Sequence, residues 1–244
     1  ARKILYSLLP RIPKNERTEI AFKYVAMKGI GGDFIDVFLN KELNMIGLFI
    51  CDVSGHGIPA ALTSVMIKQS LSFFQINTDN PSKALELIKK NMSGKMGNHF
   101  FTACIAYLDI ITGELSFSNA GHPDIIIIRS NGDVEFHNAK GNLIYDALPL
   151  NLESKKIQLF NNDILILYTD GLTEAHNKDG KMLQVLNNND LEEIAWFNAW
   201  LKEKTYGFSP SEICNNLYNG VIEYTGEKDF QDDFTTLVLK YKSS

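Results

Sequence analysis

Apolar residues in this chain form two kinds of pattern: short continuous runs, and longer stretches with helical spacing. The continuous runs include "MIGLFIC" at 45–51 and "DILILY" at 163–168. Runs of this kind, without polar alternation, are typical of strands that are covered on both faces. Together with neighbouring segments they predict strands at residues 18–27, 33–39, 44–52, 101–109, 113–119, 124–129, 156–160, 163–169 and 233–241.

The stretches with helical spacing predict helices that come in two pairs. Residues 57–76 form the first helix, which places at helical spacing Ile58, Leu62, Val65, Met66, Gln69 and Phe73. Asn80 before Pro81 is typical of the start of the second helix. Two further helix starts are of the capping-box kind, at Asp190 with Glu193 and at Ser209-Pro210 with Glu212.

The order of these elements predicts the fold class. Strands follow one another in runs, and the two helix pairs are far apart in the chain, which differs from the regular alternation of a βαβ fold. The order favours an α+β protein in which two mainly antiparallel sheets are covered by helix layers. Residues 1–10 have a helical pattern without a capping residue. We interpret them as the end of a connector helix, and residues 11–244 as one domain.

Composition and charge narrow the class of protein. The 244 residues carry a formal charge of −5, and 45% of them are apolar, which allows a large core. No segment approaches the ~18 apolar residues of a membrane-spanning helix, and the absence of a basic run argues against a nucleic-acid partner. Cys51, Cys104 and Cys214 lack CxxC spacing, which favours reduced core thiols over a zinc site. We therefore expect a cytoplasmic domain without membrane insertion, including the case of a parent protein tethered through an N-terminal part.

Acidic residues lie where four of the expected strands begin or end. Asp33 follows two glycines at the start of a strand, and Asp52 lies at the end of another. Asp170 follows a third strand, and Asp232 comes directly before the last one, next to Asp233. Each of these acids alone is typical of a turn or a cap. Together they suggest a common site, because functional groups are commonly placed at the ends of rigid elements.

If these carboxylates converge, their negative charges need compensation. Two carboxylates about 4 Å apart repel by roughly 4 kcal/mol at an effective dielectric of 20. Divalent cations remove this cost, and ligation by oxygen alone selects hard ions such as magnesium or manganese. Two such ions about 3.5–4 Å apart can clamp a phosphoryl group for in-line attack. The pattern suggests a two-metal site, provided that the side chains meet.

Six segments of the chain carry a resemblance to a known family. In order, from about residue 8 to 241, they are "LLPRIP", "GGDFIDVF", "CDVSGHGIPAAL", "NAGHP", "LYTDGLTEAHN" and "DDFTTLVL". They resemble the PPM-type (type 2C-like) metal-dependent protein phosphatases, and more narrowly the bacterial SpoIIE/RsbU branch that regulates sigma-factor switches. The resemblance implies a four-layer αββα sandwich, in agreement with the fold class expected from the element order.

The resemblance also implies the residues of the site. Asp52 would bridge two Mn²⁺ or Mg²⁺ ions, and the carbonyl of Val53 would bind one of them. Asp33 would complete the second metal site, whereas Asp170 and Asp232 would complete the first. Asp233 is an alternative ligand, next to the aspartate that matches the family motif. These acids would act in catalysis by holding the attacking water on the ions.

The reaction and partners follow from the same resemblance. The expected activity is hydrolysis of a phosphoserine or phosphothreonine monoester on a regulatory protein, of the anti-sigma-factor-antagonist type, by a hydroxide that bridges the two ions. The expected partners are this phosphorylated protein, an upstream sensor or signalling domain in the parent chain, and a second copy in a homodimer. His56 is one candidate for the proton donor to the leaving group, and His122 is expected to organise a turn near the site.

Three alternatives stay open at this point. The first is a PPM-fold module with weak or no activity that binds partners or dimerises. The second is a phosphatase that acts on small molecules. The third is a cyclic-dinucleotide synthase of the GGDEF kind, suggested by "GGDF"; however, Phe34 follows Asp33 where the GGDEF motif has a further acid, and the other five segments would be unexplained.

Overall fold

The fold consists of two five-stranded sheets and paired helices. The structure is a computed structural model, and it describes residues 6–27, 29–74, 79–184, 190–227 and 232–243. The side chains of residues 73 and 74 are not described. The strands are β1 (Thr18–Val25), β2 (Phe34–Asn40), β3 (Met45–Val53), β4 (Phe101–Asp109), β5 (Glu114–Ala120), β6 (Ile125–Ile128), β7 (Val134–His137), β8 (Ser154–Gln158), β9 (Ile164–Tyr168) and β10 (Phe234–Tyr241). The helices are α1 (Ile58–Phe74), α2 (Pro81–Met92), α3 (Leu191–Thr205) and α4 (Pro210–Thr225), and a short 3₁₀ helix covers Asp170–Leu172.

Both sheets are antiparallel throughout. The β1 sheet has the strand order β1-β10-β9-β6-β7, and the β2 sheet has the order β2-β3-β4-β5-β8. In the β2 sheet, the register pairs Phe34 with Cys51 and Asp52 with Thr102. In the β1 sheet, the end of β9 lies beside the start of β10, where Tyr168 pairs with Thr236. Each sheet therefore brings two of the predicted acidic positions to one of its ends.

The two sheets pack face to face over a core to which both contribute. Leu48 and Phe117 of the β2 sheet lie in this core with Leu167 and Leu237 of the β1 sheet, and all four are almost fully buried. The continuous apolar runs need a second apolar environment, because their alternate residues point away from this core. Those residues lie in two outer cores beneath the helices.

The helix pairs form the two outer layers. Helices α1 and α2 pack on the outer face of the β2 sheet, where Leu85 and Ile88 meet Phe49 and Ile105. Helices α3 and α4 pack on the β1 sheet through residues that include Leu201 and Leu217. The α+β class and the four-layer αββα arrangement are thus confirmed.

The predicted helix starts are confirmed at three places. The Asn80 side chain accepts a hydrogen bond from the backbone N–H of Lys83, and Asp190 caps the first turn of α3. Ser209 and Glu212 form a reciprocal capping box at the start of α4. Capping satisfies N–H groups that have no partner inside the helix, which explains why these short polar residues mark the boundaries.

The helical spacing in α1 does not mark its buried face. Ile58 and Leu62 are 60% and 59% exposed, whereas Ala60, Ile67 and Leu71 are buried against the β2 sheet. Small residues on the buried side let the helix backbone approach the sheet closely, so the larger side chains at the start of the helix face outward. Phe73 lies outside the described side chains.

The remaining predictions from the sequence concern one strand and the N-terminal segment. Strand β7, an edge strand, was missing from the expected set, whereas the other nine strands are present with small shifts at their ends. Residues 6–8 have helical backbone, and residues 1–5 lie outside the described range. The division into a connector helix at 1–10 and a domain at 11–244 stays a prediction. Within the described residues, no helix has the length and apolar character needed to cross a membrane.

Candidate active site

The four expected acids come from the facing ends of the two sheets. Asp33 directly precedes β2 and Asp52 is the next-to-last residue of β3, so both belong to the β2 sheet. Asp170 begins the 3₁₀ helix after β9, and Asp232 lies two positions before β10, so both belong to the β1 sheet. Antiparallel pairing places the end of one strand beside the start of the next, which explains how residues so far apart in sequence become neighbours.

Their electrostatic influence on one another shows that the acids share one site. Burial, together with the charges of Asp170 and Asp232, raises the pKa of Asp52 to about 7. Burial, followed by the charge of Asp232, raises the pKa of Asp170 to about 6. The pKa of Asp33 is raised well above its ordinary value by burial and then by Asp52. Because like charges act this strongly only at short range, the two sheet ends face each other across a small space.

The balance of charge in this space is negative. Among the largest influences on the pKa values of Asp33, Asp52 and Asp170 there are other acids, hydroxyl and backbone groups, and no basic side chain. Asp33 and Asp52 lie close enough for each carboxyl group to influence the pKa of the other. A positive charge at this place would counteract the raised pKa values.

Asp33 is held by two threonine hydroxyl groups. Thr169 Oγ1 and Thr235 Oγ1 donate to Asp33 Oδ2, at 2.8 Å and 2.5 Å. Thr169 precedes Asp170, and Thr235 follows the Asp232–Asp233 pair by two positions, so both hydroxyls connect the two sheets through Asp33. Asp33 is only 2% exposed, and charge-assisted hydrogen bonds of this kind are among the stronger ones in proteins. The orientation of this carboxyl group is thus fixed before any ion binds.

Asp233 has both carboxylate oxygens in use. Oδ1 accepts from the N–H of Met27, and Oδ2 accepts from the N–H of Gly32, each at 2.8 Å. A Cβ atom on Gly31 would lie 2.0 Å from the same carboxylate, so only glycine leaves room for it there. These contacts give Asp233 a structural role, which is to fix the loop that carries Asp33 against the start of β10.

The carbonyl oxygen of Val53 faces a space that a side chain would fill. A Cβ atom on Gly32 would lie 2.4 Å from this oxygen, so the second glycine of "GGD" keeps the approach to it free. The next residue continues the β3–β4 pairing, because Ser54 N–H donates to Phe100 O and Ser54 Oγ accepts from Phe100 N–H. The peptide that follows Asp52 is therefore rigid and faces the two-glycine loop.

The set of donors fits hard divalent ions. The four acids and the carbonyl of Val53 offer only oxygen, the ligand type that magnesium and manganese prefer. Within the described part of the chain, no three His, Cys, Asp or Glu side chains already form a compact metal-binding group.

The two expected histidines occupy different environments. Burial raises the pKa of Asp232, and the exposed His56 opposes this effect to a smaller extent, which places His56 near the mouth of the site. His122 is buried, and burial lowers its pKa to about 3, so its ring is neutral. Its Nδ1 lies 2.8 Å from Thr102 Oγ1, and its backbone N–H and C=O both bond the Asn119 side chain. The expected turn at "NAGHP" is therefore present, and it is attached to the strand beside Asp52.

Arg129 lies away from the acids. Its guanidinium group bonds Glu135 and Asp163, and Asp163 directly precedes β9, whereas Asp170 follows the other end of that strand.

The roles of Thr169 and Thr235 were not predicted from the sequence. The available signal was their position, since each is a hydroxyl residue within three positions of an expected ligand.

Comparison with known proteins gives a family and a fold. A sequence profile of the family described as "Stage II sporulation protein E (SpoIIE)" matches residues 44–242. Phosphoserine phosphatase RsbU of Bacillus subtilis (strain 168) is 27% identical over 239 residues, which cover 95% of this chain and 66% of that protein. Phosphoserine phosphatase RsbP of the same organism is 26% identical over 179 residues, covering 71% and 44%. The chain thus spans slightly less than two thirds of the first relative and less than half of the second.

Solved structures with the same fold are also similar to the chain. The RsbU and RsbW domains of Rv1364c from Mycobacterium tuberculosis match with a TM-score of 0.78 and 21% identity, covering 93% of this chain and 60% of that one. The PP2C phosphatase domain of SpoIIE from Bacillus subtilis, solved with a fragment of its regulatory domain, has a TM-score of 0.76 and 22% identity, covering 93% and 64%. The catalytic domain of the serine threonine protein phosphatase PstP, solved with two manganese ions, has a TM-score of 0.62 and 12% identity, covering 93% and 99%.

Proposed function

The chain belongs to the SpoIIE family, and from this premise we propose that it is a metal-dependent serine/threonine phosphoprotein phosphatase. The observation that carries the proposal is the meeting of Asp33, Asp52, Asp170 and Asp232 from two sheets in one negatively charged site. Negative charges brought close together repel one another, so the assembly of these acids is best explained by a bound cation. The relatives named phosphoserine phosphatases support the same reaction class.

The residues that would hold the ions are those expected from the sequence. Asp52 would bridge two Mn²⁺ or Mg²⁺ ions, with Asp33 and the Val53 carbonyl on one side and Asp170 and Asp232 on the other. When bound, the ions would supply positive charge for the phosphoryl oxygens and lower the pKa of water. The chain itself fixes the orientation of Asp33 through Thr169 and Thr235 and keeps the Val53 carbonyl accessible.

The substrate that we propose is a phosphorylated serine or threonine on a regulatory protein of the anti-sigma-factor-antagonist type. Two observations support a protein substrate: the similarity to PstP, which is named a serine threonine protein phosphatase, and an open cleft that reaches Asp52 and Asp170. His56 is the candidate for protonating the leaving group, because it is exposed close to Asp232. We also propose an upstream signalling domain in the parent chain and a homodimer. The cyclase and the inactive module have no specific support.

Metal-dependent hydrolysis of a phosphoserine peptide and of p-nitrophenyl phosphate tests this function. We expect turnover with manganese or magnesium, loss of turnover with a chelator, and recovery when the ion is added back. Asp170→Asn should abolish turnover on both substrates. Asp179→Asn, in the exposed loop that follows, is the matched control and should keep it. Turnover that is unchanged by chelation, or equal in both variants, would contradict the proposal.

A further inference from the structure

A cleft of about 880 Å³ leads away from the acids toward the start of α3. Asp52 and Asp170 line it together with Ile194 and Trp196 of α3. Its volume lies in the upper part of the ~300–1,000 Å³ range of ligand pockets. A phosphorylated side chain at Asp52 and Asp170 would fill only one end, so the rest of the cleft is available to neighbouring parts of the same substrate.

Polar atoms without partners line this cleft. The hydroxyl of Tyr168, Oε1 of Gln184 and Oδ1 of Asn198 are buried and make no hydrogen bond with the described residues. Tyr168 is only 1% exposed. Nε2 of His122, another lining residue, is a fourth such atom. Buried polar atoms are nearly always paired in native proteins, so four exceptions in one cleft point to a ligand that supplies the missing bonds. The two amide oxygens are acceptors and need donors, such as the N–H groups of an extended peptide.

The wall of the cleft at α3 is apolar. Ile194 is 42% exposed and Trp196 is 46% exposed, although both are large apolar side chains. Phe197 and Leu201 on the same helix are buried in the core beneath the β1 sheet, so α3 presents apolar residues on two sides. Exposed aromatic residues beside a pocket are typical anchors for a partner side chain.

The rim of the cleft is acidic. Asp124, Glu174 and Glu192 line it, in addition to Asp190 and Glu193 at the start of α3. Lys181 is the basic residue of the lining, and it already forms an ion pair with Glu193 at 2.9 Å. The rim therefore keeps an excess of negative charge, which favours a basic partner and repels an acidic one.

We propose that this cleft binds the substrate segment next to the phosphorylated residue and selects a basic and an apolar side chain in it. The proposal rests on the proposed phosphatase function and adds the chemistry of substrate selection to it. The phosphorylated residue lies at Asp52 and Asp170, the peptide N–H groups bond Gln184 and Asn198, and the apolar side chain packs on Trp196. A lysine or arginine of the segment lies against the rim at Glu192.

Three substrates separate selection from chemistry. Two phosphoserine peptides share a leucine and differ only in carrying lysine or glutamate at the flanking positions; the third substrate is p-nitrophenyl phosphate, which reaches only the acids. With wild-type protein and manganese at low salt, we expect kcat/KM for the lysine peptide to exceed that for the glutamate peptide about tenfold, as several rim charges act together. The preference should shrink as salt is added.

Matched variants on one helix assign the preference to the rim. Glu192→Lys should reduce the preference for the lysine peptide about fivefold and leave turnover of p-nitrophenyl phosphate unchanged. Glu203→Lys introduces the same charge on α3, where Glu203 pairs with Lys204 outside the cleft, and should keep the preference. Trp196→Ala should raise KM for the lysine peptide, whereas Ile111→Ala, an equally exposed residue after β4, should not.

The outcomes distinguish this proposal from the function on which it rests. If wild-type protein hydrolyses p-nitrophenyl phosphate with manganese but treats both peptides equally, the selection is overturned and the phosphatase stands. Equal effects of Glu192→Lys and Glu203→Lys overturn it in the same way. If no substrate is hydrolysed with either ion, the phosphatase proposal fails, and the selection fails with it.

Discussion

The buried side and the open side of the acid site are built differently. On the buried side, Asp33 accepts from two threonine hydroxyls and Asp233 accepts from two backbone N–H groups, so the oxygens have partners within the chain. On the open side, Asp52 and Asp170 line a cleft together with the unpartnered hydroxyl of Tyr168.

On the buried side the fold itself supplies the hydrogen-bond partners, whereas on the open side a ligand must supply them. Groups on the buried side keep their orientation through bonds that form on folding. Groups on the open side carry negative charge and free hydrogen-bonding capacity, which ions and a substrate segment would use. A change on the buried side should therefore disturb metal binding indirectly, and a change on the open side should act directly on ions or substrate.

The largest expected effect is that of substituting Asp52, the acid that we propose to bridge the two ions. Asp52→Asn should lower turnover by more than about 100-fold, since it removes a proposed ligand rather than a supporting group. The same variant should stabilise the metal-free protein, because it removes a charge that repels Asp170 and Asp232. Activity assays and thermal unfolding with and without manganese measure both. A loss of activity together with a lower Tm in the metal-free state would contradict this interpretation.

On the buried side, removing one hydroxyl should weaken metal binding without removing a ligand. Thr235→Val deletes the bond to Asp33 Oδ2 and should lower metal affinity about 10- to 100-fold. High metal concentration should restore most of the activity. Thr236→Val is the matched control, because this side chain lies on the opposite face of β10. Metal titrations of activity would show the difference, and equal affinities in the two variants would exclude the orienting role of Thr235.

His122 is a buried residue of the cleft lining and should affect stability at low pH. Its pKa of about 3 in the folded protein lies below the ~6.5 of an unfolded histidine. As the pH falls below ~6.5, the unfolded chain takes up this proton and the folded chain does not, so up to about 3 kcal/mol of stability is lost by pH 4.

The variant His122→Gln has no such proton to take up. Its stability should fall less than that of the wild type between pH 7 and pH 4, as measured by urea unfolding at several pH values. His137→Gln, a half-exposed residue of edge strand β7, serves as the control. Parallel losses in wild type and His122→Gln would rule out a neutral buried ring as the cause.

The smallest expected effect is that of Tyr168→Phe on the open side, in the absence of a substrate. Tyr168→Phe removes a hydroxyl that has no partner among the described residues, so the free energy of unfolding should change by less than about 0.5 kcal/mol. KM for a phosphopeptide should rise about threefold, and turnover of p-nitrophenyl phosphate should stay the same. Tyr241→Phe removes a buried hydroxyl that donates to Ile110 O and Ile111 O outside the cleft, and it should change neither KM nor this turnover. A large stability loss in Tyr168→Phe would mean that the hydroxyl is already satisfied.

The positions of the strands and the helix starts could be predicted from the sequence because their causes are local. Continuous apolar runs marked the central strands, and short polar residues marked the helix starts at Asn80 and Ser209. Strand β7 escaped because it has only four residues, half of them polar, and lies at a sheet edge. The outward orientation of Ile58 and Leu62 escaped because helical spacing gives a face but not its direction.

The acids of the site could be predicted, but their supporting contacts could not. An aspartate beside glycine at a strand end is a visible pattern, as at Asp33 and Asp170. The partners of Asp33 depend on which strands become neighbours, and the sequence separation from Thr169 and Thr235 hides that contact. Asp232 is a proposed ligand and Asp233 accepts from two backbone N–H groups. This difference depends on the direction of each side chain, which two adjacent identical residues do not reveal in the sequence.

The contribution of two acids from each sheet has a consequence for biosynthesis. Strand β10 inserts between β1 and β9 and begins two positions after Asp232. A growing chain on the ribosome therefore lacks the full set of acids until β10 has been translated. Catalytic competence would appear together with the docking of β10, and chains without this strand would neither sequester ions nor remove phosphate from their targets.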